Sequence, residues 1–219
     1  MKAKVKRVTI HPFAEAAATA CFLHDLFRYP APQQWKWLQK KDVVSTLQFL
    51  LQFYLPDGQK QINPFPSHYA EYEETYLATF EVGLPHPPCP LIESHWNKSD
   101  PTPKILHENI LYYKKFGLHP KDEAKESADH LRFQLEFFSY LTNLAATAEH
   151  ENDPERFQQI LNARSEYYQR HLMSWIPKAV ETLQNTEVCS WAVIWFELLE
   201  RFLVKQAELI QSIHQDRST

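Results

Sequence analysis

The class of fold is decided by residues 125–149, which read K-E-S-A-D-H-L-R-F-Q-L-E-F-F-S-Y-L-T-N-L-A-A-T-A-E. Apolar side chains recur there every three or four residues and fall on one stripe of an α-helix: Leu131, Leu135, Phe138, Leu141 and Ala145. No stretch of the chain shows the alternation with a period of two that is typical of a half-buried strand. The pattern therefore predicts one long helix over residues 125–149 and gives no support to a β-sheet.

The same helical spacing continues on both sides of this stretch. Further helices are predicted over residues 15–29, 35–54, 67–82, 105–116, 154–171 and 186–212. Asp153-Pro154 predicts a helix start, because Asp is a good N-cap and Pro suits the first turn, and Gly117 predicts a helix end. We therefore predict an all-α fold, a single bundle-like domain over residues 1–219 with about seven to nine helices. Within it, residues 1–60 form a candidate N-terminal helical part, and residues 61–219 carry the motifs described below.

Composition excludes several classes of function. The chain has 219 residues but only three glycines, where average usage would give about fifteen. Neither a Rossmann nor a P-loop motif can be written with Gly58, Gly83 and Gly117, so we expect no nucleotide cofactor. The net charge of −4 argues against a nucleic-acid partner. No apolar run reaches the length of a membrane span, and the N-terminus lacks the apolar region of a signal peptide, so we expect a cytoplasmic protein.

The helical pattern stops between Gly83 and Pro103. Six of the fifteen prolines lie in this stretch, a density that neither a helix nor a central strand tolerates. We predict a long, extended, proline-rich loop, and loops of this length inside compact domains are usually functional or disordered. The apolar residues Leu84, Leu91 and Trp96 predict that this one packs against the bundle.

Histidine and cysteine residues in the loop raise the question of a metal site. His86, Cys89 and His95 are ligand types that zinc uses. Their spacing matches no common zinc motif, and no fourth ligand is evident. We predict that Cys89 packs in the interior and that the chain binds no metal. The three cysteines of the chain are widely spaced and predict no disulfide framework.

Asp129-His130 has two residue types of a catalytic triad. Adjacent helical residues diverge by about 100°, so Asp129 is poorly placed to orient His130. We therefore predict no catalytic residue, and capping or bracing of a helix start stays open as the alternative role of this pair. An aromatic stripe of Tyr69, Tyr72, Tyr76 and Phe80 is expected to be core, although its end at the loop could line a groove.

Three stretches resemble the TorD/DmsD/NarJ family of molybdoenzyme maturation chaperones. Residues 72–94 resemble the aromatic helix, proline-rich loop and E-S sequence of that family. Residues 126–138 resemble its E-x-x-D-H-x-x-x-x-L-x-F-M signature, and residues 171–175, H-L-M-S-W, resemble its H-L-x-P-W segment. The Phe116-Gly117-Leu118 turn also fits. The chain departs from the family pattern at Ala128, Phe138 and Ser174, where Pro, Met and Pro are common.

The resemblance implies a cytoplasmic, system-specific chaperone that is not an enzyme. Members of the family bind the twin-arginine signal peptide, or the body, of a DMSO-reductase-type catalytic subunit while its molybdenum cofactor is inserted, and so delay Tat export. The intact loop resembles in particular chaperones of the dimethylsulfide, ethylbenzene or selenate dehydrogenase/reductase branch. The family includes monomers and domain-swapped dimers, and residues 98–103 are a candidate hinge.

The resemblance also places the proline-rich loop and residues 126–136 around one groove. We predict that Glu126, Asp129 and Glu93 accept the twin arginines, because carboxylates pair bidentately with a guanidinium. Apolar residues would contact the following segment of the peptide. The predicted client-binding residues are Tyr76, Phe80, Leu84, Pro85, Pro88, Pro90, Glu93, Ser94, Glu126, Asp129, His130 and Glu136.

Two other classes of function stay open from the sequence. One is a helical adaptor that binds an amphipathic partner helix without any link to molybdoenzymes. The other is a metal-dependent enzyme that uses the histidines and the cysteine of the loop.

Overall fold

A computed structural model describes residues 12–56, 64–119, 126–186 and 189–216. The helices within these ranges are α1 (Pro12–Leu26), α2 (Pro32–Leu38), α3 (Lys41–Tyr54), α4 (Tyr69–Tyr76), α5 (Glu93–Trp96), α6 (Thr102–Lys115), α7 (Leu131–His150), α8 (Pro154–Tyr167), α9 (Ile176–Gln184) and α10 (Ser190–Asp216). No strand is present in the described ranges, and the predicted all-α class is confirmed. The N-terminal residues, on which the expectation of no signal peptide rests, lie outside the described residues.

Helix α7 lies at the centre of the bundle, where it packs along α1 and α8. The predicted stripe from Leu131 to Ala145 is wholly buried. Helix α10 packs against α9 and α3, and its buried side includes Trp191, Trp195 and Phe202. None of the described helices combines the length and apolar content needed to cross a membrane.

Local signals set the helix ends where the sequence predicts them. The Asp153 side chain accepts a hydrogen bond from the backbone N–H of Arg156 at 3.0 Å, as an N-cap does. Gly117 has φ +76°, and the N–H of Leu118 donates to the carbonyl of Tyr113 at 2.9 Å. This is a Schellman ending, in which a residue with positive φ lets the chain turn back on the helix.

Two predicted helices differ from the observed ones. Residues 35–54 form α2 and α3, because the chain turns at Gln39 and Lys40 without a Gly or Pro to mark the break. The helix predicted over 125–149 begins only at Leu131. The backbone just before it is extended and pairs with the proline-rich loop: Glu93 N–H donates to Asp129 O at 3.1 Å, and Leu131 N–H donates to Leu91 O at 2.8 Å.

The proline-rich loop is shorter than predicted, because α5 lies within it and α6 begins at Thr102. Two π-helical turns lie close to this region. The first, Leu77–Glu81, extends α4 up to the loop, and the second, Tyr168–Leu172, extends α8. Each is closed by an N–H to carbonyl bond that spans five residues, from Val82 to Leu77 and from Met173 to Tyr168. π-Turns of this kind are frequent at functional sites.

Candidate functional site

Glu93 lies wholly buried at the start of α5. Its carboxylate accepts hydrogen bonds from Gln134 at 2.6 Å, Asn97 at 3.1 Å and Asn109 at 3.2 Å, and it lies 2.9 Å from Nδ1 of His171. All four partners are buried as well. The prediction that Glu93 meets a peptide arginine therefore fails in this conformation, because its oxygens are used inside the protein.

The Glu93 network joins all three stretches that carry the family resemblance. His171 comes from the H-L-M-S-W segment, and Gln134 comes from the signature around Asp129. The Trp175 indole N–H donates to Gln134 Oε1 at 3.1 Å, which ties the third segment to the second. Ser174, one of the departures from the family pattern, accepts a hydrogen bond from Asn97 at 2.8 Å. These residues thus hold the helices beneath the loop in place.

Asp129 and His130 have internal roles at the start of α7. Asp129 is fully buried and accepts hydrogen bonds from the Ser94 N–H at 2.9 Å and the Ser127 hydroxyl at 2.5 Å. His130 Nδ1 accepts a hydrogen bond from the N–H of Arg132 at 3.2 Å and so caps the helix. The geometry supports the capping and bracing alternative for this pair. Asp129 is not accessible to a peptide arginine, which corrects its predicted role.

Burial lowers the pKa of the His130 imidazole to about 4; the positive charge of Arg132 also lowers it, while Glu126 and Asp129 raise it. Between pH 6.5, the ordinary pKa of histidine, and about pH 4, the unfolded chain binds a proton at this imidazole and the native state does not. The free energy of unfolding therefore falls as the pH drops through this window.

We expect His130→Asn to remove this part of the pH dependence, because Asn can still cap the helix but cannot titrate. Between pH 6.5 and 4, the variant should lose about 1–3 kcal/mol less stability than the wild type. Urea unfolding at a series of pH values measures this difference. The exposed His107 provides the control, and His107→Asn should follow the wild-type curve. Parallel curves for His130→Asn and the wild type would contradict the prediction.

The second half of the proline-rich loop is fastened to the bundle. The N–H of Cys89 donates to Thr79 O at 2.9 Å, within the first π-turn, and the Trp96 indole donates to Pro90 O at 2.9 Å. Cys89, Pro90 and Leu91 are buried. The packing predicted for Cys89 is therefore confirmed, and burial raises the pKa of its thiol.

The three loop residues weighed as metal ligands do not form a ligand set. The rings of His86 and His95 are in edge contact with their centroids 4.4 Å apart, while Cys89 is buried. In the described part of the chain, no three His, Cys, Asp or Glu side chains are placed to share a metal ion.

The tip of the loop is exposed to solvent. Leu84 is 100% exposed and Val82 is 64% exposed. Pro85 is exposed, and Pro88 is half-buried. Gly83 allows the tip to fold back closely on itself, because a Cβ atom at this position would lie 2.4 Å from the carbonyl oxygen of His86. Leu84 and Pro85 are therefore the predicted site residues that the loop exposes to solvent.

Tyr76 and Phe80 belong to the core, which corrects their prediction as a groove wall. They are 1% and 3% exposed, and their rings meet edge-on at 4.9 Å. The Tyr76 hydroxyl donates to Phe27 O at 2.9 Å. The exposed ring of Tyr29 packs edge-on against Tyr76 at 6.3 Å. The exposed aromatic ring beside the loop is therefore that of Tyr29, whereas the sequence suggested that the end of the aromatic stripe would be exposed there.

Carboxylates lie beside the loop tip. Glu126 is half-buried and forms an ion pair with Arg132 at 2.5 Å. Glu81 is an exposed residue, but its carboxyl is partly desolvated, and this raises its pKa. The nearby negative charge of Glu126 raises the pKa further. Glu136 is exposed one helical turn after Arg132. Arg132 thus pairs with Glu126, and the negative charges of Glu126 and Glu81 are close enough to influence each other.

We call Tyr29, Glu81, Val82, Leu84 and Glu126 the acidic–apolar surface. Sequence reasoning missed Tyr29, Glu81 and Val82, and it missed Arg132 as a counter-ion. Glu81 and Val82 border the loop, so their position beside Gly83 was a usable signal. Tyr29 had no local signal, because only the packing of its ring on Tyr76 brings it to this face.

Comparison with known proteins identifies related chaperones. The perchlorate reductase assembly chaperone protein of Dechloromonas aromatica (strain RCB) is 29% identical over 136 residues, which are 62% of this chain and 59% of that protein. The chlorate reductase assembly chaperone protein of Ideonella dechloratans is 32% identical over 116 residues, 52% of this chain and 58% of that protein. The selenate reductase assembly chaperone protein of Thauera selenatis is 29% identical over 116 residues, again 52% and 58%. The chain thus spans less than two thirds of the length of these relatives.

The family model that matches is described as nitrate reductase delta subunit, and it covers residues 55–181. This range holds the loop, the signature around Asp129 and the segment from His171 to Trp175, which are the parts that build the Glu93 network. Because the model covers more than half of the chain, the protein belongs to the nitrate reductase delta subunit family, the TorD/DmsD/NarJ group of redox enzyme maturation chaperones.

Proposed function

We propose that this protein is a cytoplasmic, non-catalytic assembly chaperone for the catalytic subunit of a molybdenum-containing reductase, and that it binds the twin-arginine signal peptide of that subunit. Family membership supports the chaperone role. The relatives named for perchlorate, chlorate and selenate reductases favour a client that reduces an oxyanion. Holding the apo subunit would give time for cofactor insertion before export.

The acidic–apolar surface is the observation that carries the signal-peptide part of the proposal. Glu126 pairs with Arg132, and Glu81 lies near enough for the negative charge of Glu126 to raise its pKa, so this face concentrates negative charge that the guanidinium groups of a peptide would offset. Val82 and Leu84 closely follow Glu81 in the chain and are exposed. A twin-arginine peptide has the matching order, because its basic region precedes an apolar one.

The anchored base of the loop supports tight binding of such a peptide. Residues 89–91 are fixed by hydrogen bonds to Thr79, Trp96 and Leu131. Only the tip therefore needs to adjust on binding, which reduces the entropy lost when the complex forms. Burying the Leu84 side chain beneath the peptide would contribute about 1.5–3 kcal/mol.

The test is calorimetry with a synthetic peptide that carries two adjacent arginines followed by an apolar segment. We expect the double variant Glu81→Gln/Glu126→Gln to bind it about tenfold or more weakly, which is about 1.4 kcal/mol. Added salt should weaken binding to the wild type more than binding to this variant, because the interaction is between charges. Lowering the pH should also weaken wild-type binding, and the loss should begin above the ordinary range of a glutamate because the pKa of Glu81 is raised.

Two further variants complete this experiment. Leu84→Ser should weaken binding without changing its salt dependence, because it removes only apolar contact. Glu74→Gln, an exposed glutamate on α4 outside the surface, should bind as the wild type does. Unchanged affinity in both the double glutamate variant and Leu84→Ser would contradict the proposed site.

A further inference from the structure

Arg132 lies in the first turn of α7, beside the acidic–apolar surface. Its Nη1 donates to Oε1 of Glu126 at 2.5 Å. The two side chains are 19% and 31% exposed, so a peptide bound at this surface can reach the pair. The ion pair therefore occupies one of the carboxylates that the proposed peptide site uses.

The guanidinium of Arg132 is held incompletely. In the described part of the chain it makes a single hydrogen bond to a carboxylate, whereas an arginine can pair with both carboxylate oxygens through two parallel bonds. Its Nε is buried and has no hydrogen-bond acceptor among the described residues. Its Nη2 lies 3.5 Å from Nε2 of His24, which is longer than an ordinary hydrogen bond. A peptide arginine that pairs with both oxygens of Glu126 would therefore form the stronger contact.

Helix α1 supplies the weak partner on the other side of Arg132. Nδ1 of His24 donates to Oδ1 of Asp25 at 2.9 Å, which leaves Nε2 as the acceptor that faces Arg132. Burial lowers the pKa of this imidazole and the positive charge of Arg132 lowers it further, while Asp25 and Glu136 raise it. A neutral His24 offers no negative charge, so it holds the guanidinium only loosely.

A second carboxylate is within reach of Arg132 on α7. Glu136 follows it by four residues, the spacing at which side chains on one helix face meet. Glu136 is exposed, and its negative charge acts on His24, so it lies on the side of α7 that faces α1. By turning its side chain towards Glu136, Arg132 can exchange one carboxylate for another.

We propose that Arg132 is an internal competitor of the client: it occupies Glu126 when no peptide is bound, and it moves towards Glu136 when a peptide arginine takes its place. This role rests on the proposed function of the same surface. Breaking the resident ion pair offsets part of the free energy gained from the new one, so the exchange lowers the affinity for the peptide. It thereby favours release of the client.

Calorimetry with the synthetic twin-arginine peptide tests the competition. Arg132→Gln should bind the peptide at least fivefold more tightly than the wild type, because Glu126 then has no resident partner. Arg132→Lys should stay within twofold of the wild type, since an ammonium group still pairs with Glu126. In the Glu126→Gln background, the gain from Arg132→Gln should fall below twofold, because no carboxylate is left to uncover.

Arg28→Gln is the matched control. Arg28 is exposed just after α1 and pairs with Asp25 at 2.6 Å. Its replacement removes the same positive charge but uncovers no carboxylate of the proposed site, so the affinity should stay within twofold of the wild type. The bond with which His130 caps α7 comes from the backbone N–H of residue 132. Arg132→Gln should therefore keep this helix start, which urea unfolding checks.

Nuclear magnetic resonance follows the exchange in the wild type. In protein labelled with ¹⁵N-arginine, the Nε–H signal of Arg132, assigned by its loss in Arg132→Lys, should shift when the peptide binds. The signal of Arg164 should stay in place, because this side chain is buried and bonded to Thr142, about three turns further along α7. A signal of Arg132 that does not respond to bound peptide would overturn the proposed exchange.

The affinities distinguish two kinds of failure. If Glu126→Gln weakens peptide binding but Arg132→Gln does not tighten it, the competition is refuted and the proposed function stands. If neither the wild type nor Arg132→Gln binds the peptide, both are refuted. A gain of equal size in Arg28→Gln, or in the Glu126→Gln background, would reveal a general effect of charge and would also overturn the role of Arg132.

Discussion

Glu93→Ala is expected to lower the free energy of unfolding by about 3–5 kcal/mol, because it removes a buried carboxylate that accepts hydrogen bonds from several buried side chains. The change leaves His171 without its carboxylate and removes the acceptor of the amide groups of Gln134, Asn97 and Asn109. Each buried donor without a partner adds to the loss. Urea unfolding followed by tryptophan fluorescence measures it, since Trp175 belongs to the same network.

Glu74→Ala is the matched control for this experiment. Glu74 is exposed on α4, and its replacement should change the stability by less than about 0.5 kcal/mol. Glu93→Gln should fall between the two, because it keeps the shape and some acceptor capacity of the side chain. A loss of under about 1 kcal/mol for Glu93→Ala would show that the network does not hold this part of the fold.

Gly83→Ala is expected to weaken binding of the twin-arginine peptide by about tenfold or more, or about 1.4 kcal/mol. The new Cβ would lie 2.4 Å from the His86 carbonyl oxygen and 2.7 Å from the Pro87 Cα. Both are backbone atoms, so the loop tip must change its path and Leu84 must move. The stability cost of such overpacking is about 1–3 kcal/mol. Calorimetry and urea unfolding on the same protein separate the two effects.

Gly117→Ala is expected to lower the stability without weakening peptide binding, in contrast to Gly83→Ala. A Cβ at Gly117 meets nothing within 4 Å, but its φ of +76° is strained for any residue with a side chain. This variant should lose about 1–2 kcal/mol of stability and keep the peptide affinity of the wild type. Similar peptide affinities in the two alanine variants would contradict the assignment of the loop tip to the binding surface.

Much of the fold follows from local sequence signals. The stripe on α7, the cap at Asp153 and the turn at Gly117 each depend on residues within one or two helical turns of one another. The start of α7 was predicted too early because it depends on contacts with residues that are distant in the chain. Residues 126–130 contain no Gly or Pro, and their non-helical path is accompanied by hydrogen bonds of the Asp129 carbonyl and the Leu131 N–H to Glu93 and Leu91, about 40 residues away.

The candidate site also combines features that local sequence signals predict with features that depend on contacts between distant residues. The sequence marked Glu93 and Asp129 as important but could not tell which way their side chains face. Their partners, Asn109 and His171 among them, are distant in the chain and become neighbours only when α6, α7 and α8 pack. Proline density correctly indicated a segment that is not part of a helix, but Leu84, which was expected to pack against the bundle, is fully exposed. Its role in binding stays a prediction.

The two π-turns limit how the length of this chain can vary. Each turn holds one residue more than an α-helical turn, so a one-residue deletion in Leu77–Glu81 would restore a regular helix and rotate everything after it by about 100°. Glu81 would leave the acidic–apolar surface, and Thr79 would lose its bond to Cys89. The same deletion in Tyr168–Leu172 would turn His171 away from Glu93. Among homologues, gaps should therefore fall in the exposed tip around Leu84 and be absent from both π-turns.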